Sequence, residues 1–348
     1  MTAPIKVLIV EDSAFARKVV RELLSSDPDI QVVGTARDGM EALEMVPELR
    51  PDVITCDLNM PRMNGVSFVQ RQMARHPVPI LILSAAAHDA SEVIGALHAG
   101  AIDVVRKPTA FATDDLRTIG SELLEKVRGA ASSTIGNIVH TTNGSAQGSA
   151  LPSKEKAAAA PAIVVIGIST GGPQALRQIL PQFPKDFSVP IAVVLHMPVG
   201  YTALYAEKLN ELCALEVKEA AEGDEVRPGR VLLASAGRHL VFRQSAENGV
   251  VAQLTLHPIA KIHRPSVDVL FRSAAEHFRE RVLAVVMTGM GDDGKEGAAW
   301  IKAQGGTVIT EAERSCVIYG MPRSVVEAGL SDFSVPLEEM TQTIVSRF

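Results

Sequence analysis

A serine, a histidine and an acidic pair stand at the ends of three apolar runs in the second half of this chain. Ser169 follows "IVVIGI", His196 closes "VPIAVVLH", and Asp292 and Asp293 follow "RVLAVVMTGMG". A serine hydroxyl becomes a nucleophile when an imidazole within hydrogen-bonding reach takes its proton, and a carboxylate keeps that imidazole in the working tautomer. Gly167-Ile168-Ser169-Thr170-Gly171 fits the G-x-S-x-G turn, whose glycines let a strand feed a helix sharply enough to expose the hydroxyl. Gly172 and Pro173 then open the helix, where proline's missing N–H would have had no partner anyway. Singly, each residue has a blander reading: Ser169 as a helix cap, His196 as a core or loop histidine. His257, closing "AQLTLH", is a rival base ranked second because it follows a hairpin strand. Spacing does not choose between Asp292 and Asp293.

The first half carries a different set. Glu11 and Asp12 follow "IKVLIV", Asp57 closes "DVITCD", Ser84 follows "ILIL", and Lys107 precedes Pro108 after "AIDVVR". Ligands of open parallel sheets sit at the carboxyl ends of the strands, so these side chains should converge. Carboxylates gathered at such an edge bind Mg²⁺, a hard ion that seeks oxygen. With charge neutralised, Asp57 can attack a phosphoryl donor as a carboxylate nucleophile, and Ser84 and Lys107 can hold the phosphoryl oxygens.

Both sets require parallel strands with covering helices. Short β-branched runs do alternate with amphipathic stretches, the pattern of α/β sheets. The first block reads as strands "IKVLIV", "IQVVGTA", "DVITCD", "PILILSA" and "AIDVVRK", with Phe15, Val19, Leu23 and Leu24 on one face of the first helix. The second reads as a mainly parallel sheet in which "RPGRVLLASAGRHLVFRQSAENGVVAQLTLHP" forms hairpins turning at Asn248 and Gly249. Between them, residues 129–161 are rich in Ala, Ser, Thr and Gly with few large apolar side chains, a composition that reads as linker. The expected architecture is two doubly wound domains, 1–128 and 162–348, in keeping with a length of 348 residues. A net charge of −6 gives no reason to expect nucleic acid or an acidic membrane. No apolar run is long enough to span a bilayer, and Cys56, Cys213 and Cys316 fit neither a disulfide framework nor a metal cluster, which points to the cytoplasm.

A nucleotide site competes for one motif. Gly289-Met290-Gly291-Asp292-Asp293-Gly294 matches G-x-G-x-x-G, and Glu311 lies about 20 residues on, as a dinucleotide fold requires. Two carboxylates facing a pyrophosphate, however, oppose the anion that a helix N-terminus attracts. The Ser169–Gly172 turn also lacks the lysine of a Walker loop.

The motifs "VEDS", "DLNMPRMNG", "ILS" and "RKP" resemble a response-regulator receiver domain over residues 4–128. That resemblance implies Asp57 as phosphoacceptor, and Mg²⁺ held by Glu11, Asp12, Asp57 and the backbone carbonyl of Asn59. Val104 stands where receivers often carry Tyr or Phe, so no ring is there to rotate. "GISTGGPQAL", "LHMP", "RPSVDVLF" and "MTGMGDDG" resemble the catalytic domain of the CheB family of chemotaxis protein-glutamate methylesterases over residues 162–346. By motif, the implied triad is Ser169, His196 and Asp293, with Thr170, Gly171, Gly172 and Met290 around the oxyanion. The implied reaction is hydrolysis of glutamate methyl esters on chemoreceptors, with glutamine deamidation beside it and no cofactor for either. The implied partners are the receptors and a chemotaxis histidine kinase, and the receiver is expected to inhibit the esterase until Asp57 is phosphorylated. A non-catalytic receptor adaptor is the alternative, against which the intact serine, histidine and aspartate argue.

Overall fold

The computed structural model describes residues 3–85, 89–107, 113–133, 161–247 and 249–348. Most of the expected linker, and Pro108 and Asn248, lie outside them. The described residues gather into two compact units, one of residues up to 133 with 197–204, the other of 161–196 with 205–348. Among the described residues, no helix is long and apolar enough to cross a membrane.

The first unit holds five strands, β1 (Ile5–Val10), β2 (Ile30–Ala36), β3 (Val53–Asp57), β4 (Ile80–Ser84) and β5 (Asp103–Arg106), in the order 2-1-3-4-5. All four pairings are parallel. Every residue of β3 and β4 is buried, which explains why they read as continuous apolar runs rather than as alternation. Each fully buried Val, Leu or Ile side chain contributes about 1.5–3 kcal/mol. Ser13, Asp38 and Asn64 cap the helices α1 (Ala14–Ser25), α2 (Gly39–Leu49) and α3 (Gly65–Arg75) by accepting amides of their first turns. Two expectations need correction. In α1, Leu24 is buried and Val19 and Leu23 are half-buried, as expected, but Phe15 is 58% exposed and Val20 takes a buried place instead. Helix α5 (Thr113–Ala131), which follows α4 (Ala90–His98), runs past residue 128 into the stretch expected as linker.

The second unit is built on seven parallel strands in the order β14-β13-β12-β6-β7-β9-β8. Its centre is β6 (Ile163–Ile168), flanked by β7 (Ile191–Leu195) and β12 (Val282–Val286), all fully buried. Strands β8 (Glu216–Glu219) and β9 (Arg230–Leu233) extend one side; β13 (Thr307–Glu311) and β14 (Phe333–Val335) extend the other. The expected series of hairpins reduces to one, β10 (His239–Ser245) against β11 (Gly249–Thr255). The run "RVLL" instead joins the main sheet in parallel, pairing with β7 and β8. Helix α6 (Gly172–Ile179) follows β6, α7 (Thr202–Asn210) follows β7, and α8 (Val267–Phe278) precedes β12. Helices α9 (Lys295–Ala303), α10 (Met321–Glu327) and α11 (Leu337–Val345) complete the unit.

Candidate active site

The chain leaves β6 to one side through β7 and returns on the other through β12. A crevice opens at such a reversal of strand order. Register fixes what meets there, since Ile168 pairs with Leu195 and Gly167 with Val286, so the residues just beyond these three strands become neighbours. Ser169 follows β6 and donates its N–H to the Thr288 carbonyl at 2.9 Å. Gly171 adopts φ +81°, a left-handed conformation that favours glycine, and so turns the chain into α6. A side chain at Gly289 would meet Ser169 Cβ at 2.7 Å, so the turn also needs glycine beside Ser169.

His196 follows β7, with its amide on the Ile168 carbonyl at 3.1 Å. Its Nε2 lies 2.8 Å from Asp293 Oδ2. Asp293 is almost fully enclosed. Oδ1 accepts from Ser266 Oγ at 2.8 Å and from the Asp268 amide at 3.0 Å, and Oδ2 accepts from the Val267 amide at 2.8 Å. Burial works against its charged form, but the bond and charge of His196 and the two amides of the α8 N-terminus outweigh it and hold the carboxyl well below the usual range. The support is reciprocal: Asp268 Oδ1 accepts the amides of Gly294 and Gly297 at 2.9 and 2.8 Å. Asp292, one residue away, is exposed and pairs with Lys295 at 2.6 Å. The structure thus separates two aspartates that spacing could not.

With Nε2 engaged, Nδ1 is the imidazole nitrogen left for Ser169. Among the described residues, no hydrogen bond yet joins it to the Ser169 hydroxyl, a contact that often tightens only when substrate is bound. The amide of Gly172 is committed to the Ser169 carbonyl at 2.7 Å, so it is not a free donor, against expectation. Met290 is half-buried, and its amide makes no hydrogen bond among the described residues. The rival base His257 is exposed, its amide turned to Thr255 Oγ1. Glu311 is fully buried on the Thr288 amide and Ser315 Oγ, not at a ribose site. Ser266, Asp268 and Thr288 belong to the site although none is expected there as a functional residue. Ser266 and Asp268 lie in "RPSVDVLF" and Thr288 in "MTGMGDDG", but their partners Asp293 and Ser169 are distant in sequence, so the runs alone do not give these contacts.

At the first sheet's edge, carboxylate oxygens of Glu11, Asp12 and Asp57 lie within 4.8 Å of one another. Lys107 Nζ stands 2.7 Å from Asp57 Oδ2 and 3.0 Å from Glu11 Oε2. Burial and the Asp57 charge raise the Glu11 pKa, with Lys107 pulling the other way. Burial disfavours the Lys107 ammonium, but Asp57 and Glu11 overcome this and raise its pKa. Three carboxylates against one ammonium leave an excess of negative charge on oxygen donors, a set that suits a hard divalent cation. Ser84 is buried at the end of β4 with its hydroxyl on Asp89 Oδ2 at 3.2 Å, and Asn59 Nδ2 donates to Asp89 Oδ1 at 3.2 Å. Val104 is buried within β5.

Residues 7–119 match the response regulator receiver domain family and residues 164–344 match the CheB methylesterase family. The chain is 48% identical over 341 residues to protein-glutamate methylesterase/protein-glutamine glutaminase 5 of Myxococcus xanthus, covering 98% of this chain and 97% of that one. It is 43% identical over 346 residues to the protein-glutamate methylesterase/protein-glutamine glutaminase of Geobacillus kaustophilus, covering 98% of each. The crystal structure of the Thermotoga maritima CheB methylesterase catalytic domain matches at 41% identity and a TM-score of 0.52, covering 54% of this chain and 99% of that one.

Proposed function

The chain belongs to the CheB methylesterase family, with a response regulator receiver domain ahead of the catalytic domain, and from that premise we propose that Ser169, His196 and Asp293 carry its reaction. The protein is a hydrolase, a protein-glutamate methylesterase and protein-glutamine glutaminase regulated through its receiver. The observation that carries the residue assignment is the 2.8 Å contact between His196, at the end of β7, and Asp293, in the loop after β12, two strands that pair with the strand of Ser169.

Ser169 Oγ attacks the side-chain carbonyl of the modified glutamate while His196 Nδ1 takes its proton. The imidazolium that forms is held by Asp293, already ionised among its donors. Amides of Gly171 and Met290 receive the oxyanion, with Thr170 at the rim. The carbon–oxygen bond to methoxide then breaks, His196 returns the proton, and methanol leaves. With a glutamine the leaving group is ammonia. Water, deprotonated by the same nitrogen, cleaves the acyl-serine to release glutamate. One tetrahedral geometry serves both substrates.

In the receiver, Asp57 takes the phosphoryl group, and Lys107 and Ser84 donate to its oxygens. Glu11, Asp12, Asp57 and the Asn59 carbonyl would hold Mg²⁺, which when bound neutralises charge on the phosphoryl oxygens. The phosphoryl group adds about −1.5 to −2 charge, enough to draw Ser84 and Lys107 inward and release an inhibited esterase. The phosphodonor is a chemotaxis histidine kinase, and the substrate is the cytoplasmic part of methylated chemoreceptors.

Methanol release from methylated receptor membranes tests this reading. Wild type should release methanol, faster with a small phosphodonor; Asp57→Asn should keep only the basal rate; Ser169→Ala should release none. Undiminished turnover by Ser169→Ala would refute the mechanism.

A further inference from the structure

The ring of His263 lies face to face with that of His196, with centroids 4.2 Å apart and planes 17° from parallel. We propose that His263 is a positioning residue that fixes the plane of the His196 ring; this rests on reading His196 as the base. The need for such a residue follows from which nitrogen Asp293 holds. The χ2 axis of a histidine leaves the ring close to its Cε1–Nε2 edge. A hydrogen bond at Nε2 therefore restrains rotation about χ2 weakly, whereas Nδ1, the atom that must face Ser169, sweeps a wide arc. Histidine χ2 is intrinsically broad, so the torsion itself supplies little restraint. A flat surface against the ring face supplies what the Asp293 bond leaves open.

The segment that carries His263 is fastened on both sides. Gly237 donates its amide to the Arg264 carbonyl at 2.9 Å. Lys261 Nζ lies 2.8 Å from Asp268 Oδ2 and 2.6 Å from Glu296 Oε2. The Ser266 amide donates to Nδ1 of the buried His239 at 3.2 Å. Residues 263–268 thus set both partners of the pair, with one ring on His196 and three donors on Asp293. His263 is itself exposed, so filling the core does not explain its place.

The test compares ring-free and ring-bearing variants of the full chain on methylated receptor membranes. His263→Ala should lower kcat roughly tenfold at unchanged KM, the scale of a lost stacked contact that counts in the transition state. Labelling of Ser169 by a small phosphonate ester, which also needs an aligned base, should slow by the same factor. His263→Phe, which keeps a flat face and no nitrogen, should return both rates to within about threefold of wild type, in line with a role for the stack alone. If the Ala variant is unstable, His263→Gln gives the same contrast. The proposal fails if the ring-free variants keep wild-type rates, if Phe is as slow as Ala, or if the loss lies in KM alone. A dead Ser169→Ala beside an unaffected His263→Ala overturns only this proposal; an active Ser169→Ala overturns the reading beneath it.

Discussion

Both sheets bring acidic side chains to the carboxyl ends of parallel strands, yet Asp293 in the second is surrounded by donors and Glu11 in the first is not. Asp293 accepts from an imidazole, a hydroxyl and two amides, and is held ionised. Glu11 accepts the Ser13 amide at 3.1 Å, faces Asp57, and shares Lys107 with it; its pKa is raised. One site is charge-complete within the chain and the other leaves charge for an incoming cation. A base must be oriented before its substrate arrives, whereas a metal site gains its affinity from repulsion that the ion relieves.

The largest effect should come from breaking the complete site. Asp293→Asn should lower kcat by about 10⁴, the scale seen when a triad imidazole is left in the wrong tautomer. Asp292→Asn should stay within about twofold, as expected for an exposed surface pair. Kinetics on methylated receptors check both, and a more damaging Asp292→Asn would reverse the contrast between the two neighbours.

Glu311 sharpens the comparison, being buried like Glu11 but, among the described residues, not paired with a lysine. Burial pushes its carboxyl up to about 7, against the pull of the Thr288 amide and Ser315 Oγ. The folded state keeps this proton where the unfolded chain, with a pKa near 4.5, has lost it. Its contribution is therefore complete below pH 4.5 and declines as pH rises toward 7, by about 3 kcal/mol in all. Glu311→Gln should flatten that decline in denaturant titrations of the catalytic domain's transition. Parallel wild-type and variant curves would show that Glu311 is already ionised.

The smallest effect tests the incomplete site. Glu11→Gln removes one carboxylate charge, and the Mg²⁺ concentration needed for half-maximal phosphorylation should rise roughly tenfold. An unchanged requirement would mean that Glu11 serves Lys107 and not the ion.

The strands were legible in the sequence because a parallel strand buried on both faces leaves a continuous apolar run, as in "ILILS" and "IAVVL". Their carboxyl ends then pointed to Glu11, Asp57, Ser169 and His196 without any knowledge of tertiary contacts. Arg230–Leu233 departs from the expected hairpin because four residues do not reveal whether their partner runs parallel or antiparallel; only β7 and β8 decide that. Phe15 departs from its expected face because an amphipathic helix tolerates an exposed aromatic that periodicity assigns inward. Residue type and spacing leave Asp292 and Asp293 level and only the family motif separates them, because the donors that enclose Asp293 come from the N-terminus of α8, some 25 residues earlier.

The placement of β6 between β7 and β12 also has a consequence for how activity arises in a refolding chain. Helices form from neighbours in sequence, but β6 meets β12 only when a loop on the order of 100 residues closes, an entropic cost met before the contact rewards it. A chain that has acquired its helices and even the β6–β7 pair still has His196 without Asp293. The contact between His196 and Asp293 therefore arises only with the assembled sheet, and not with any one of its helices.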